Sequence, residues 1–148
     1  MHCKILLIAL GSQYSQDELA WRVCDRLKVR GQLKSIDFVT CDTPAKLPKL
    51  LEDYEQVFLM DAYLSETENG SIQPVNLEDI QNGPLASQST HGIGVNEMLS
   101  ICTALDCLPA SLSIIALGIS GSAEINKVIS DDYLERIESL IDRERLSG

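Results

Sequence analysis

Three long runs of apolar residues constrain the fold of this chain more than any other feature of its sequence. They are KILLIAL at 4–10, the VFLM segment of QVFLMDAY at 56–63, and the SIIAL segment of SLSIIALGIS at 111–120. Apolar residues at every position, rather than at alternate positions, are typical of parallel strands that are covered on both faces. The sequence therefore predicts a sheet that lies between two layers of helices.

Apolar residues recur every three or four positions in the segments between and after these runs. This period predicts amphipathic helices at 16–31, 43–54, 94–107 and 130–146. The second is expected to be limited to short turns, since Pro48 cannot donate a backbone hydrogen bond within a helix. Further strands are predicted at 33–39 and 71–77, the latter at a sheet edge where Pro74 is tolerated, and 82–90 has the composition of a loop.

The order of these elements, β-α-β-α-β-β-α-β-α, defines the predicted fold class. It is an α/β three-layer sandwich, with a twisted, mostly parallel, five-stranded sheet and helices on both faces. The length of 148 residues is close to the commonest domain size, and neither a repeat nor a linker interrupts the chain. We therefore expect residues 1–148 to form a single domain.

Composition excludes several classes of partner. The formal charge of −10 argues against binding to nucleic acid, because no cluster of Lys and Arg reverses it locally. No apolar run approaches the ~20 residues that span a bilayer, so we expect no membrane association. The five cysteines are odd in number and include no C-x-x-C pair, which favours free thiols in a cytoplasmic protein over a disulfide framework or a zinc site. Nothing in the composition indicates an obligate interface, and we expect a monomer.

Three polar segments are predicted at the carboxyl edge of the sheet, where open α/β sheets bind their ligands. Asp17 and Glu18 follow the first strand and open the first helix, Asp61 ends the apolar run of the third strand, and His91 precedes the third long helix. Each has a structural interpretation when it is taken alone. Asp61 can accept bonds from loop amides, the acidic pair can favour a helix dipole, and His91 can be an ordinary loop histidine.

Together, Glu18, Asp61 and His91 form a set of two oxygen ligands and one nitrogen ligand. Such a set suits a divalent transition metal and leaves coordination positions open for water or for a substrate group. The sequence contains no H-E-x-x-H motif, so it does not indicate an ordinary zinc protease.

The order of these motifs resembles the hydrogenase maturation proteases, endopeptidases that trim the C-terminus of the large subunit of nickel–iron hydrogenases. The segments that carry the resemblance are GSQYSQDELAW at 11–21, VFLMDAY at 57–63, STHGIGVNEML at 89–99 and LPASLSIIALGI at 108–119. The similarity thus extends from about residue 4 to residue 119, and it depends on the order and spacing of the motifs together.

The resemblance implies that Glu18, Asp61 and His91 bind nickel that is already lodged in the hydrogenase large-subunit precursor, while Asp17 caps or orients its loop. Other divalent metals are expected to be able to occupy the same site in the free protein. The resemblance further implies that Asp61 and His91 are catalytic, and that a water activated by Asp61 or by the metal attacks the peptide carbonyl.

The sequence departs from the family pattern at three places. Ser12 replaces the usual Asn, Trp21 stands where the family generally has a glycine, and GISGSAEIN at 118–126 lacks the usual polar-proline pair. The predicted ligands are all retained. The departures leave open a second interpretation, a relative of the same fold that binds a metal-bearing partner without cleaving it.

Two other classes fit the sequence less well. A phosphoacceptor receiver domain has its acidic pair directly at the strand end and a Lys after the last strand, whereas here Asp17 lies six residues beyond Gly11 and GISGS follows the last strand. A serine hydrolase would need G-x-S-x-G after a central strand. GISGS ends in Ser and follows the last one, with Asp61 and His91 preceding Ser120.

Overall fold

A five-stranded sheet forms the centre of the computed structural model, which describes residues 4–13, 15–75 and 92–145. The strands are β1 (Ile5–Leu10), β2 (Ile36–Cys41), β3 (Gln56–Leu64), β4 (Ile72–Val75) and β5 (Ser111–Ile119). Their order across the sheet is β2-β1-β3-β5-β4, and every neighbouring pair is parallel except β4 and β5. The predicted mostly parallel five-stranded sheet is confirmed, with β4 at its edge.

Helices cover both faces of this sheet. They are α1 (Leu19–Arg30), α2 (Leu47–Leu51), α3 (Gly92–Ala104), α4 (Ile125–Val128) and α5 (Asp131–Glu144), with 3-10 turns at Ser15–Glu18 and Pro44–Lys46. Buried residues of α1 and α5 form one apolar cluster with the sheet, called here the α1–α5 cluster. Buried residues of α2 and α3 form a second cluster on the other side, the α2–α3 cluster. The three-layer sandwich is thus confirmed. No helix of the described residues is long and apolar enough to cross a membrane.

Strand β1 shows why the central strands are apolar at every position. Leu7 and Ala9 belong to the α1–α5 cluster, whereas Leu6, Ile8 and Leu10 belong to the α2–α3 cluster. None of the five is more than 3% exposed. Because burying a side chain of this size contributes about 1.5–3 kcal/mol, a polar residue on either face of β1 would be strongly unfavourable.

The second strand begins later than the sequence predicted, at Ile36 rather than at residue 33. Gly31 ends α1 in the left-handed conformation, with φ of 64°, and its N–H donates to the carbonyl of Leu27. Ser35 also has a positive φ, of 61°, so the chain turns twice before it can extend. Leu33 is buried in the α1–α5 cluster without joining the sheet, because burial alone does not require a strand.

Other differences from the predicted elements are smaller. The acidic pair lies in the 3-10 turn that precedes α1, not in the first turn of that helix. The interruption predicted at Pro48 is confirmed, since the segment forms a 3-10 turn and the five-residue α2. Helix α4 was not predicted, because four residues are too few to show a period. The last two residues of the strand predicted at 71–77, the loop predicted at 82–90, and His91 lie outside the described residues.

Gly11 follows β1 directly, at a place where two backbone segments meet. Its N–H donates to the carbonyl of Cys41 over 2.9 Å, which joins the ends of β1 and β2. A β-carbon at this position would collide with the backbone oxygen of Asp17. The close approach of the following turn therefore requires glycine at the end of β1.

We expect Gly11→Ala to lower the free energy of unfolding by about 1–3 kcal/mol, because the Asp17 backbone must move to make room. Urea denaturation measures the change. Gly121→Ala is the matched control: its added methyl would lie 3.6 Å from Glu66 Oε1, an ordinary contact, and its effect is expected to stay within ~0.5 kcal/mol. Equal losses in the two variants would contradict the steric explanation.

Candidate functional site at the carboxyl edge of the sheet

Asp61 lies where β3 extends past its shorter neighbour β1. The last residue pair between these strands joins Ala9 to Met60, and Asp61 is the next residue. On its other side, β3 continues alongside β5, and Asp61 pairs with Ala116. The strand predicted at 56–63 is thus confirmed to within one residue, but Asp61 does not lie at its end, because β3 continues to Leu64. Asp61 instead lies beside the carboxyl end of β1.

The Asp61 carboxylate is buried, with only 8% of the residue exposed. Val57 and Leu59 of the same strand belong to the α2–α3 cluster. Since side chains alternate along a strand, Asp61 points to that side of the sheet too. The backbone of α3 begins at Gly92, so the segment that carries His91 leads into a helix on the same side as Asp61.

The 3-10 turn Ser15–Glu18 crosses the carboxyl edge and is fixed there by Gln16. This side chain is buried, and its Nε2 donates to the carbonyl oxygens of Ser120 at 2.6 Å and of Ala123 at 3.0 Å. The turn also contacts β3. A single amide thus fastens the segment that carries the acidic pair to the segment that follows β5.

Asp17 is held within its own loop. Its backbone oxygen accepts a hydrogen bond from the N–H of Ser12 at 3.2 Å, and its Oδ2 accepts one from the Ser12 hydroxyl at 3.2 Å. Ser12 is one of the departures from the family pattern, and its hydroxyl closes the loop. The arrangement fits a residue that orients the loop, which is the role that the resemblance implies for Asp17.

Glu18 is the last residue of the 3-10 turn, directly before α1, and about a third of its side chain is exposed. Arg22, one helical turn later, forms an ion pair with it, with Nε 3.2 Å from Oε1. Arg22 Nη1 in turn donates to Asn126 Oδ1 at 2.7 Å. Within the described residues, Arg22 is the partner of one Glu18 oxygen, and no hydrogen bond or ion pair engages Oε2.

Trp21, the second departure, fills the corner above β1 and β2. Its Nε1 donates to the carbonyl of Cys41 at 3.2 Å, the same oxygen that accepts from Gly11. The ring lies against Gly11. Because β1 separates β2 from β3, this corner is on the opposite side of β1 from Asp61, and the indole does not take the place of a ligand there.

The third departure, the segment after β5, is held by side chains from other parts of the carboxyl edge. In addition to the two bonds from Gln16, the N–H of Ser120 donates to Asn69 Oδ1 at 2.9 Å. The N–H of Gly121 donates to Glu66 Oε1 at 3.0 Å. The segment therefore has a defined position although it lacks the family's proline.

Sequence reasoning missed a polar cluster two residues beyond Asp61. The hydroxyl of Tyr63 contacts the carboxylate of Glu68 and lies 3.0 Å from the Ser71 hydroxyl. Burial and the hydrogen bond to Glu68 raise the pKa of Tyr63, so this phenol stays protonated at neutral pH. Its position two residues after Asp61, on the same face of β3, was the sequence signal that could have indicated it.

Two of the three predicted ligands lie within the described residues. Glu18 and Asp61 both lie at the carboxyl edge, and α1, which begins after Glu18, packs on the face of the sheet opposite to Asp61. His91 lies outside the described residues. Among the residues that are described, no three His, Cys, Asp or Glu side chains form a metal-binding group. The three-ligand set remains a prediction.

No protein-family model matches the sequence, and no curated protein is significantly similar to it. Solved structures do share its architecture. The hydrogenase maturating endopeptidase HybD from E. coli is 15% identical, with 95% of this chain and 93% of that chain covered at a TM-score of 0.68. The chain has the fold of the hydrogenase maturation proteases.

Two archaeal structures agree with this assignment of the fold. The NiFe hydrogenase maturation protease HybD from Thermococcus kodakarensis is 19% identical, with 93% of this chain and 98% of that chain covered at a TM-score of 0.65. The hydrogenase 2 maturation peptidase from a Thaumarchaeota archaeon is 22% identical, with 95% and 97% covered at a TM-score of 0.54. Identities this low establish a shared fold, and function has to be argued from the site itself.

We expect Gln16→Ala to destabilise the protein by about 1–3 kcal/mol, because it removes the side-chain amide that donates to the carbonyls of Ser120 and Ala123, and the Ser120 carbonyl then keeps only the bond from the N–H of Ala123. Chemical denaturation measures the loss. Gln13→Ala, at an exposed position of the same loop, is the control and is expected to change stability by less than ~0.5 kcal/mol. If Gln16→Ala proved equally neutral, Gln16 would not fasten the turn.

Proposed function

We propose that this protein is an endopeptidase that removes the C-terminal extension of a nickel–iron hydrogenase large-subunit precursor after nickel has been inserted. The observation that carries the proposal is the buried Asp61 carboxylate beside the carboxyl end of β1, in a chain that has the maturation protease fold over nearly all its length. This edge is where α/β sheets bind ligands.

Nickel belongs to the substrate in this proposal and identifies the precursor that is ready for cleavage. Glu18, Asp61 and His91 would hold it, since carboxylate and imidazole ligands both suit a divalent transition metal. The ion pair with Arg22 supports the role of Glu18. It engages Oε1 and so orients the carboxylate, as partners of metal ligands commonly do, while Oε2 is left for a cation.

The proposed reaction is hydrolysis of one peptide bond beside the bound nickel. Water attacks the carbonyl carbon and loses a proton, the C–N bond breaks, and the departing amine gains a proton. A carboxylate and an imidazole next to the scissile bond are able to accept the first proton and supply the second. Asp61 and His91 are the residues that we assign to these transfers.

The departures from the family pattern are compatible with cleavage. Ser12 bonds to Asp17 within the loop that follows β1, and Trp21 packs above β1 and β2, on the side of β1 away from Asp61. A non-cleaving relative that only binds a metal-bearing partner is therefore a possible outcome of the test, rather than a proposal of its own.

We expect the purified protein to shorten a nickel-loaded large-subunit precursor from the same organism, as measured by intact-mass spectrometry of the precursor. Asp61→Asn, His91→Ala and Glu18→Gln are each expected to slow the trimming by at least about 100-fold, the upper range for loss of a metal-site partner. A nickel-free precursor is expected to stay full length, because the ligands then have no metal to bind.

Glu97→Gln provides the control, since Glu97 is an exposed carboxylate of α3 and the change should leave trimming unaffected. Nickel-dependent binding without trimming, lost in the three variants, would identify a non-cleaving relative. If neither trimming nor nickel-dependent binding occurred, the acids at the carboxyl edge would be structural and the proposed function wrong.

A further inference from the structure

The C-terminal end of α3 brings two cysteines together. After Ala104 the chain turns, and Asp106 takes the left-handed conformation with φ of 56°. The N–H of Cys107 donates to the carbonyl of Cys102 over 2.9 Å, and that of Asp106 donates to the carbonyl of Thr103 over 3.2 Å. This pair of bonds is the Schellman motif, in which the residues at the positions of Cys102 and Cys107 commonly make an apolar side-chain contact.

Both positions of that contact carry a thiol. Cys102 is fully buried in the α2–α3 cluster, and the half-buried Cys107 packs against the same cluster. The Cys107 thiol is near enough to contribute to the raised pKa of Cys102, although burial is the larger cause. By contrast, the buried Cys24 belongs to the α1–α5 cluster, and the Cys41 thiol donates to the carbonyl of Thr43 at 3.0 Å. Cys41 also lies in the α2–α3 cluster, but among the cysteines of the described residues a backbone hydrogen bond joins only Cys102 and Cys107.

We propose that Cys102 and Cys107 form a reversible disulfide when the protein meets a peroxide. The backbone bond between the same two residues holds their α-carbons at the short separation that a disulfide needs. Both cysteines are free in the structure, so the pair represents the reduced form. The proposal rests on this geometry and is independent of the proposed peptidase function.

The chemistry has two balanced steps. The thiolate of Cys107, the more accessible cysteine, attacks one oxygen of the peroxide, which breaks the O–O bond and gives a sulfenic acid and hydroxide. In this step and the next, the departing hydroxide takes up the proton that a thiol has released and becomes water. The thiolate of Cys102 then attacks that sulfur, forming the S–S bond and releasing a second water. Two thiols lose two electrons in total, and the peroxide takes them up.

The second step is expected to accelerate as the pH rises. Burial and the neighbouring Cys107 raise the pKa of Cys102 to about 11, so little of it is thiolate at neutral pH, and the thiolate is the attacking species. The same burial keeps peroxide away from Cys102, which favours Cys107 as the first residue to react.

The test treats the full-length protein with a small excess of hydrogen peroxide, alkylates the remaining thiols and digests with trypsin. No Lys or Arg lies between 50 and 126, so the tryptic peptide 50–127 contains Cys102 and Cys107 and none of the other cysteines. We expect this peptide to be unalkylated and about 2 Da lighter than its reduced form, and dithiothreitol to restore two alkylation sites. The yield is expected to be higher at pH 9 than at pH 7.

Cys102→Ser and Cys107→Ser are each expected to abolish the cross-link, whereas Cys24→Ala, which removes a buried thiol from the other cluster, is expected to retain it. Three results would overturn the proposal. They are a peptide that keeps both alkylation sites, one in which Cys107 is oxidised to an oxyacid while Cys102 remains alkylated, and a cross-link between two chains on a non-reducing gel.

Discussion

The structure depends on β1 being covered from both sides. With apolar side chains alternating into two clusters, the strand leaves no polar face within the sheet, and its neighbour β3 is buried at every position but the last. Polar chemistry is thereby confined to the places where strands end. The loop that carries Asp17 and Glu18, the Asp61 carboxylate and the segment after β5 share the carboxyl edge, because the buried positions of β1 do not tolerate a charge.

Unequal strand lengths determine where that charge lies. β1 has six residues and β3 has nine, so the longer strand continues past the shorter one with a partner on only one side. Asp61 occupies the first position of that extension. The carboxylate is therefore held by a regular strand rather than by a flexible loop, which limits how far it can move when a substrate binds.

Much of this arrangement follows from sequence pattern, and the exceptions have identifiable causes. Continuous apolar runs located the central strands, and the Ser130 cap with two acids behind it indicated where α5 starts, as Ser130 Oγ accepts from the N–H of Tyr133. The start of β2 was misplaced because Leu33 is apolar and buried but lies outside the sheet. The third strand was predicted to within one residue, at 56–63 against Gln56–Leu64, but Asp61 was placed at its end because an acid in an apolar run usually marks the point where burial stops. The bonds from Gln16 could not be foreseen, since they join residues more than a hundred positions apart.

The fastening of the acidic loop has a consequence for how the sequence can diverge. Gln16 and Trp21 both donate to main-chain carbonyl oxygens, of Ser120, Ala123 and Cys41. Every residue has a main-chain carbonyl, so the residue types at these three acceptor positions can change without loss of the hydrogen bonds that hold the loop. In these bonds, only the donor residues Gln16 and Trp21 are constrained in type. A surface region built in this way can lose nearly all recognisable similarity to its relatives and still present the same backbone to a substrate.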